Sequence, residues 1–274
     1  MNEVFSHLLK TKKRLAPALF FCLMIPLNTG CDLFKSKESP DSPRKRKGRL
    51  VMFVGADISG SFLKSRHFSD SLKFLAQYLY AHLNGQGGIK LVHSLFVGSI
   101  GGIRSDEPKT FYPIHAFQNK SVEEIHKKLR EIFPKNKKNP YTDFNAFFNQ
   151  IAEFTKSKNL ILRPISVVML SDGIPDIRGV KGDELYRNLK LKPLENLSRN
   201  ITLRVLYTSS AVGMKWRTLV PRQRVRIWTQ DANVMKDWND PGIFQKGKPF
   251  DEQERFFEWI RDNVDFPVRV RRVQ

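Results

Sequence analysis

Cysteine, acidic residues and long apolar runs are all scarce in this sequence. Two of the 274 residues are Cys, which excludes a scaffold built on several disulfides. No stretch approaches the roughly 20 consecutive apolar residues of a membrane-spanning helix, which excludes a polytopic membrane protein. Asp and Glu number 27 against 47 Lys and Arg, and the formal net charge is +20. An anionic partner therefore has to be considered.

The chain does contain enough apolar residues for a sizeable core. Hydrophobic residues make up 41% of it and include 21 Phe, a composition that excludes global disorder. A length of 274 residues fits one large domain or two small ones.

The beginning of the chain has the pattern of an export signal. The apolar run Leu15–Leu27 follows a group of basic residues, has the length of a signal-peptide core, and is followed by small or polar residues that end in Cys31. This segment resembles the lipobox of bacterial lipoproteins, in which the Cys is lipidated and becomes the first mature residue. The resemblance predicts a signal peptide at 1–30 and lipidation of Cys31. An ordinary cleaved signal or an uncleaved anchor is the alternative.

An exported, lipid-anchored chain is expected at the cell membrane, on the periplasmic face of the inner membrane or, alternatively, at the outer membrane. Residues 31–48 contain Pro, Ser and the run Arg44–Lys47, and this composition predicts a flexible basic linker. Residues 266–274 form a second basic segment, the C-terminal tail. Exported chains rarely meet nucleic acid, so we expect none as a partner and attribute the basic surplus to affinity for anionic lipid or envelope polymers.

Short apolar runs alternate with helical stretches from Leu50 onward, which is typical of a layered α/β domain. The run 50–56 predicts a central strand buried on both faces. Further strands are predicted at 89–97, 110–117, 165–170, 201–207 and 225–229. Helices are predicted at 68–83, 121–133, from 144 onward, around 183–199 and at 251–264. The sequence therefore predicts one domain at 49–265, with a doubly wound, mainly parallel sheet, helices on both faces and an antiparallel edge strand.

Polar residues follow the predicted strands where such sheets bind ligands, at the carboxyl ends. Asp57, Ser59 and Ser61 alternate after the first strand and, in an extended segment, would point the same way. Thr142 opens a helix, and Asp172 follows the strand 165–170. Together these residues offer five hard oxygen ligands, which suit Mg²⁺, with Mn²⁺ or Ca²⁺ as alternatives.

The same five residues resemble the motifs of von Willebrand factor type A domains. Asp57, Ser59 and Ser61 match the Asp-x-Ser-x-Ser motif, Thr142 matches the isolated loop Thr, and Asp172 belongs to a Ser-Asp-Gly segment. In that family these positions form the metal-ion-dependent adhesion site. The resemblance implies direct metal coordination by the three hydroxyl residues and coordination largely through water by the two Asp.

The function predicted from this resemblance is non-enzymatic binding of a protein partner, through the metal ion and an exposed Asp or Glu of that partner. A first alternative is a structural or accessory module of an envelope complex, docked on anionic lipid or glycan by its basic surface, in which the metal is only structural. A second is a metal-dependent hydrolase, for which no general base is evident. The basic stretch 215–226 is interpreted as a solvated face or, alternatively, as an anion-binding cluster.

Overall fold

The computed structural model describes residues 48–101, 110–134 and 142–266. The predicted signal peptide, Cys31, the linker up to residue 47 and the tail beyond residue 266 lie outside the described residues. No helix in the described ranges is both long enough and apolar enough to cross a membrane.

A six-stranded sheet forms the centre of the described part. Its strands are β1 Leu50–Asp57, β2 Val92–Ile100, β3 Tyr112–Pro113, β4 Ile165–Leu170, β5 Ile201–Thr208 and β6 Arg226–Asp231. The spatial order is β3-β2-β1-β4-β5-β6, and every pair is parallel except β2–β3. This is a doubly wound order that reverses between β1 and β4. The predicted fold class is confirmed, including the antiparallel edge strand.

Helices cover both faces of the sheet. They are α1 Gly60–Lys64, α2 Arg66–Asn84, α3 Val122–Ile132, α4 Phe144–Ser157, α5 Glu184–Arg187, α6 Lys192–Glu195, α7 Ser210–Thr218, α8 Ala232–Lys236 and α9 Glu254–Asn263. Alternate residues of β1 enter two separate cores: Met52 and Val54 pack with α2, α3 and α9, whereas Val51 and Phe53 pack with α4 to α7. Both faces of β1 are therefore buried, as its unbroken apolar run predicts.

Two helices end or begin at the capping residues that their sequences predict. Asn84-Gly85 ends α2, with Gly85 in the left-handed conformation at φ 63°. Ser121 and Glu124 form the predicted capping box at the start of α3.

Two predicted elements are wrong in detail. The single helix expected around 183–199 is two short helices, α5 and α6, and Pro193 at the start of α6 cannot continue a preceding helix. The strand expected at 110–117 is reduced to β3, since Pro113 has no N–H for the ladder and the chain turns into a 3₁₀ helix at Ile114–Ala116.

Three helices are missing from the predicted order: the short helices α1 and α8, and the longer α7. The chain crosses from β5 to its parallel neighbour β6 through α7, in a region that the sequence-based order leaves without a helix. Parallel neighbours need such a crossover, usually a helix. Gly213 and the basic residues Lys215 and Arg217 hide its apolar side in the sequence.

Candidate metal centre

Asp57 lies at the carboxyl end of β1 and its side chain is fully buried. Its Oδ1 accepts a hydrogen bond from the Ser59 backbone N–H at 2.8 Å, and its Oδ2 accepts one from Ser171 Oγ at 2.6 Å. Burial raises the pKa of Asp57 to about 6. The hydrogen bonds lower this pKa, and the nearby charge of Asp172 raises it further, but burial has the largest effect. Within the described residues no Lys, Arg or His forms an ion pair with it.

Ser59 and Ser61 do not lie on an extended segment, contrary to the prediction. Ser59 is the N-cap residue of α1 and Ser61 lies in its first turn. The turn still brings the two hydroxyl oxygens together, at 3.5 Å from each other. Ser59 is buried and Ser61 is exposed, so the pair runs from the floor of the site to its rim.

The loop after β4 brings a second carboxylate to the site. Ser171 Oγ accepts a hydrogen bond from the Gly173 N–H at 2.9 Å while it donates to Asp57, so it joins the two loops. Asp172 is half-buried, and its Oδ1 accepts from the Ile174 N–H at 3.1 Å. This hydrogen bond orients the Asp172 side chain, whose charge is near enough to raise the pKa of Asp57.

Gly173 is required by close packing as well as by its backbone conformation. Its φ is 76°, and an added Cβ would lie 2.9 Å from Thr208 Cγ2 and 3.0 Å from Trp216 Nε1. The buried indole of Trp216 donates a hydrogen bond to the Gly173 carbonyl at 2.7 Å. The α7 side chain therefore holds the Asp172 loop from behind.

Thr142 and Asp143 have separate roles at the start of α4. Asp143 is the N-cap, and its Oδ1 accepts from the Ala146 N–H at 2.9 Å. Thr142 is buried, and its carbonyl accepts from the Asp176 N–H at 3.1 Å, which ties it to the segment that follows Asp172. Its hydroxyl makes no hydrogen bond within the part of the chain that the structure describes.

The donor chemistry of this cluster fits a hard divalent cation. The described ranges contain no group of three or more His, Cys, Asp or Glu placed to hold a metal ion, so a metal here needs oxygen ligands besides the two carboxylates, and the hydroxyls can supply them. Two carboxylates and several hydroxyls supply the oxygen ligands that Mg²⁺ takes. A buried carboxylate without a paired cation is electrostatically costly, and a metal ion would remove that cost. Metal coordination by Asp57, Ser59, Ser61, Thr142 and Asp172 stays a prediction.

Two contributors to the site were missed in the sequence. The Ser-Asp-Gly segment predicts a metal ligand at Asp172 but assigns no role to Ser171, which donates a hydrogen bond to Asp57. Trp216 was interpreted as part of the basic stretch, whereas it is fully buried. Its neighbour Lys215 lies on the surface and pairs with Asp183 at 2.9 Å.

No protein-family model and no curated protein matches this chain. Several solved structures are similar in fold. They include proximal thread matrix protein 1 from the mussel byssus, with 13% identity, a TM-score of 0.42 and coverage of 69% of this chain and 46% of that chain. The SpRpn10 VWA domain has 10% identity, a TM-score of 0.41 and coverage of 70% and 95%. Manganese-loaded Plasmodium vivax TRAP protein has 12% identity, a TM-score of 0.41 and coverage of 68% and 70%.

The chain spans less than half the length of the mussel protein. With TM-scores of 0.42 or lower, these likenesses carry no argument about function. The fold is established by the strand order of the chain itself.

Proposed function

We propose that this domain binds a divalent metal ion, Mg²⁺ in the first place, and uses it to hold a carboxylate of a protein partner. The observation that carries the proposal is the buried Asp57 carboxylate, which is held by Ser59 and Ser171 and has no cationic side chain paired with it in the described ranges. The resemblance of the five motif residues to the metal-ion-dependent adhesion site supports the same function. Mn²⁺ and Ca²⁺ are the alternative ions.

The charge of the cluster explains why an acidic partner is proposed. Asp57 and Asp172 together balance the double charge of the ion without exceeding it, and the remaining proposed ligands are neutral hydroxyls. A further carboxylate therefore still gains electrostatic energy by approaching the ion. Ser61 lies at the exposed rim, where a partner side chain can approach. The role is one of binding, not of catalysis.

The proposal extends to the location of the protein. We propose that lipidation of Cys31 anchors the chain at the cell membrane and that the basic linker adds a salt-sensitive attraction. Cys31→Ala is expected to leave the chain unprocessed or to release it from the membrane fraction. Metabolic labelling with a palmitate analogue tests this. A wild-type chain that carries no label and washes off in high salt contradicts lipidation.

Two Asp variants of the full chain test the proposed metal function. Asp172→Asn removes one of the two carboxylates, and Asp176→Asn changes an exposed carboxylate four residues further on, so it controls for the charge change. We expect Asp172→Asn to lower Mg²⁺ affinity in calorimetry at least about 100-fold, a loss of about 2.7 kcal/mol, while Asp176→Asn leaves it within about twofold. Equal Mg²⁺ affinity in all three proteins contradicts the assignment of the site.

Binding of an acidic peptide distinguishes the proposed contact from docking by the basic surface. Contact through the metal ion is expected to disappear with a chelator and to persist in moderate salt. Attraction between exposed charges is expected to disappear with salt and to persist with the chelator. Peptide binding that is unchanged by the chelator contradicts a contact through the metal ion.

A further inference from the structure

A cleft of about 980 Å³ opens at the edge of the sheet opposite to the candidate metal centre. The residues that line it include the first residues of β1, β4 and β6, namely Leu50, Ile165 and Arg226. Ligands of doubly wound folds bind at the carboxyl ends of the strands, so this cleft at the amino ends is separate from the usual site.

Basic side chains dominate the charge of the cleft. Its lining contains Arg49, Lys90, Arg204, Arg226 and Arg261, against the carboxylate of Asp265. Arg49 and Lys90 are exposed, and Arg226 and Arg261 are half-buried. Arg226 also belongs to the basic stretch that stood out in the sequence and that the proposed metal function leaves unexplained.

Asp265 supplies the one carboxylate among the described lining residues, and this carboxylate is already neutralised. Asp265 accepts a hydrogen bond from Tyr78 Oη at 2.6 Å, and its Oδ2 lies 3.0 Å from His82 Nε2. Arg204 Nε lies 3.7 Å from Asp265 Oδ1, and the same guanidinium donates to the Val264 carbonyl and to Ser166 Oγ, each at 2.7 Å. Arg204 and Asp265 therefore form a closed, largely buried pair that leaves no negative charge for the other cations.

The remaining four cations have no anionic partner among the residues that the structure describes. In residues 48–101, 110–134 and 142–266, no carboxylate forms an ion pair with Arg49, Lys90, Arg226 or Arg261. Arg226 donates to the Asn200 side-chain oxygen and Arg261 to the Gly87 carbonyl, both neutral acceptors. These contacts orient two guanidiniums without cancelling their charge.

The sequence directly next to the described residues is basic on both sides. The residues that precede Gly48 in the sequence are Arg44–Lys47, and the segment after Phe266 contains three Arg and no acidic residue. Both segments carry the same sign of charge as the cleft. We therefore consider a separate anion as the occupant of the cleft.

We infer that this cleft binds a phosphate group, on a free phosphomonoester or on a lipid head group. A phosphomonoester carries about −1.5 to −2 charges at neutral pH and three acceptor oxygens, so it matches a cleft lined by several cations better than a carboxylate ligand does. Guanidinium groups bind phosphate oxygens in a two-pronged geometry. Leu50, Ile89 and Phe266 give the cleft an apolar part that can contact the organic group next to the phosphate.

Two double variants of the full chain test this inference. Lys90→Gln with Arg226→Gln removes two cations from the cleft. Lys127→Gln with Arg130→Gln removes two exposed cations from α3, which does not line the cleft, so the net charge changes equally. The probes are glycerol 3-phosphate and acetate at matched ionic strength, with binding measured by calorimetry and folding checked by circular dichroism.

We expect the wild-type chain to bind glycerol 3-phosphate more tightly than acetate. The cleft variant should lose at least about tenfold in affinity and the α3 variant less than about twofold, because the cleft contacts act at short range. If the double variant Lys90→Gln with Arg226→Gln does not fold, Arg49→Gln replaces it, because this change affects an exposed side chain. Its affinity for glycerol 3-phosphate should fall about threefold. No detectable phosphate binding, or equal losses in the two double variants, would overturn the inference.

A vesicle experiment separates the two sources of the phosphate group. Vesicles of phosphatidic acid in phosphatidylcholine should bind the wild-type chain, and the cleft variant should bind them less than the α3 variant does if the group is a lipid head group. Equal vesicle binding by both variants, with glycerol 3-phosphate binding still lost in the cleft variant, assigns the cleft to a free phosphomonoester. Binding of a single-stranded RNA oligonucleotide that is tighter than either probe, and is lost in the cleft variant, overturns the small-ligand assignment.

Discussion

The two ends of β1 have opposite electrostatic character. At the carboxyl end, Asp57 and Asp172 lie among hydroxyl groups without a paired cationic side chain in the described ranges. The amino end of β1 lies roughly 23 Å away, from the usual rise per residue of a strand. There Arg49 and Arg226 line a cleft in which the carboxylate of Asp265 is already paired with Arg204. The same sheet therefore presents a site suited to a cation at one edge and a site suited to an anion at the other, and changes at one edge should leave the other intact.

The largest expected effect is at the carboxyl end. Asp57→Asn removes a buried charge but keeps the shape of the side chain, so the fold should persist. We expect Mg²⁺ affinity to fall at least about 1000-fold, or about 4 kcal/mol, in calorimetry. In chelator, the melting midpoint should not decrease, because a buried anion without a cation is costly. A variant that unfolds in chelator would show that Asp57 serves the fold instead of the metal.

Asp265→Asn tests the amino end. It leaves Arg204 and His82 without their carboxylate partner, and we expect a loss of about 3 kcal/mol in the free energy of unfolding at neutral pH, as for other broken buried pairs. Mg²⁺ affinity should stay within about twofold of wild type, since the variant lies at the other end of the sheet. A large loss of Mg²⁺ affinity contradicts the independence of the two edges.

The same variant should have a distinct pH dependence. Burial opposes ionisation of Asp265, but the charges of His82 and Arg204 and the hydrogen bond from Tyr78 together hold its pKa well below the usual value of 3.8. A carboxyl whose pKa is lower in the folded state stabilises the fold above its unfolded pKa and loses that contribution as the pH falls towards the folded value. Wild type and Asp265→Asn should therefore converge in stability below about pH 4 in denaturant titrations. A constant difference down to low pH contradicts this role.

Gly173→Ala tests the support behind the metal site. Both Gly173 and Gly179 have φ near 77°, but an added Cβ meets Trp216 and Thr208 only at Gly173, whereas nothing lies within 4 Å at Gly179. We expect Gly179→Ala to cost about 1 kcal/mol for the backbone conformation alone, and Gly173→Ala about 2 kcal/mol. Thermal unfolding measures both. Equal costs would mean that the Trp216 contact adds nothing to the strain.

Thr142→Ala has the smallest expected effect on metal binding. A neutral hydroxyl contributes less to Mg²⁺ affinity than a carboxylate does, so we expect a loss of less than tenfold, under about 1.4 kcal/mol. An acidic peptide should lose more, because the hydroxyl completes the geometry to which the carboxylate binds. Calorimetry of both ligands checks this. Equal losses of Mg²⁺ affinity and peptide affinity would mean that Thr142 acts only as a further metal ligand. No loss of either affinity would mean that Thr142 does not belong to the site.

The sequence predicts the sheet well because buried parallel strands have a simple pattern. The apolar runs of β1 and β4 are short and unbroken, which is typical of parallel strands buried on both faces. The polar residues directly after these runs are therefore predicted at the carboxyl ends of the strands. The helices were harder to predict where polar residues break the pattern. In α7, Gly213 and two basic residues interrupt the apolar periodicity that would predict a helix. Pro193 divides a stretch that otherwise resembles one helix.

The sites differ in the same way. The motif around Asp57 is local and could be identified, although Ser61 lies in a helical turn and the role of Ser171 depends on a hydrogen bond between residues far apart in the chain. The amino-end cleft has no motif at all. Its cations come from the segments before β1 and β2, from β5 and β6, and from α9, and only the folded chain brings them together.

The most direct test of the central proposal is the position of a bound ion. A crystal of the protein grown with Mn²⁺ as a substitute for Mg²⁺ allows the ion to be located by its anomalous scattering. We expect one strong peak between the loops that follow β1 and β4, within ligand distance of oxygens from Ser59, Ser61 and Thr142. A peak elsewhere, or none at this edge when Mn²⁺ is in excess, would contradict a metal centre at Asp57.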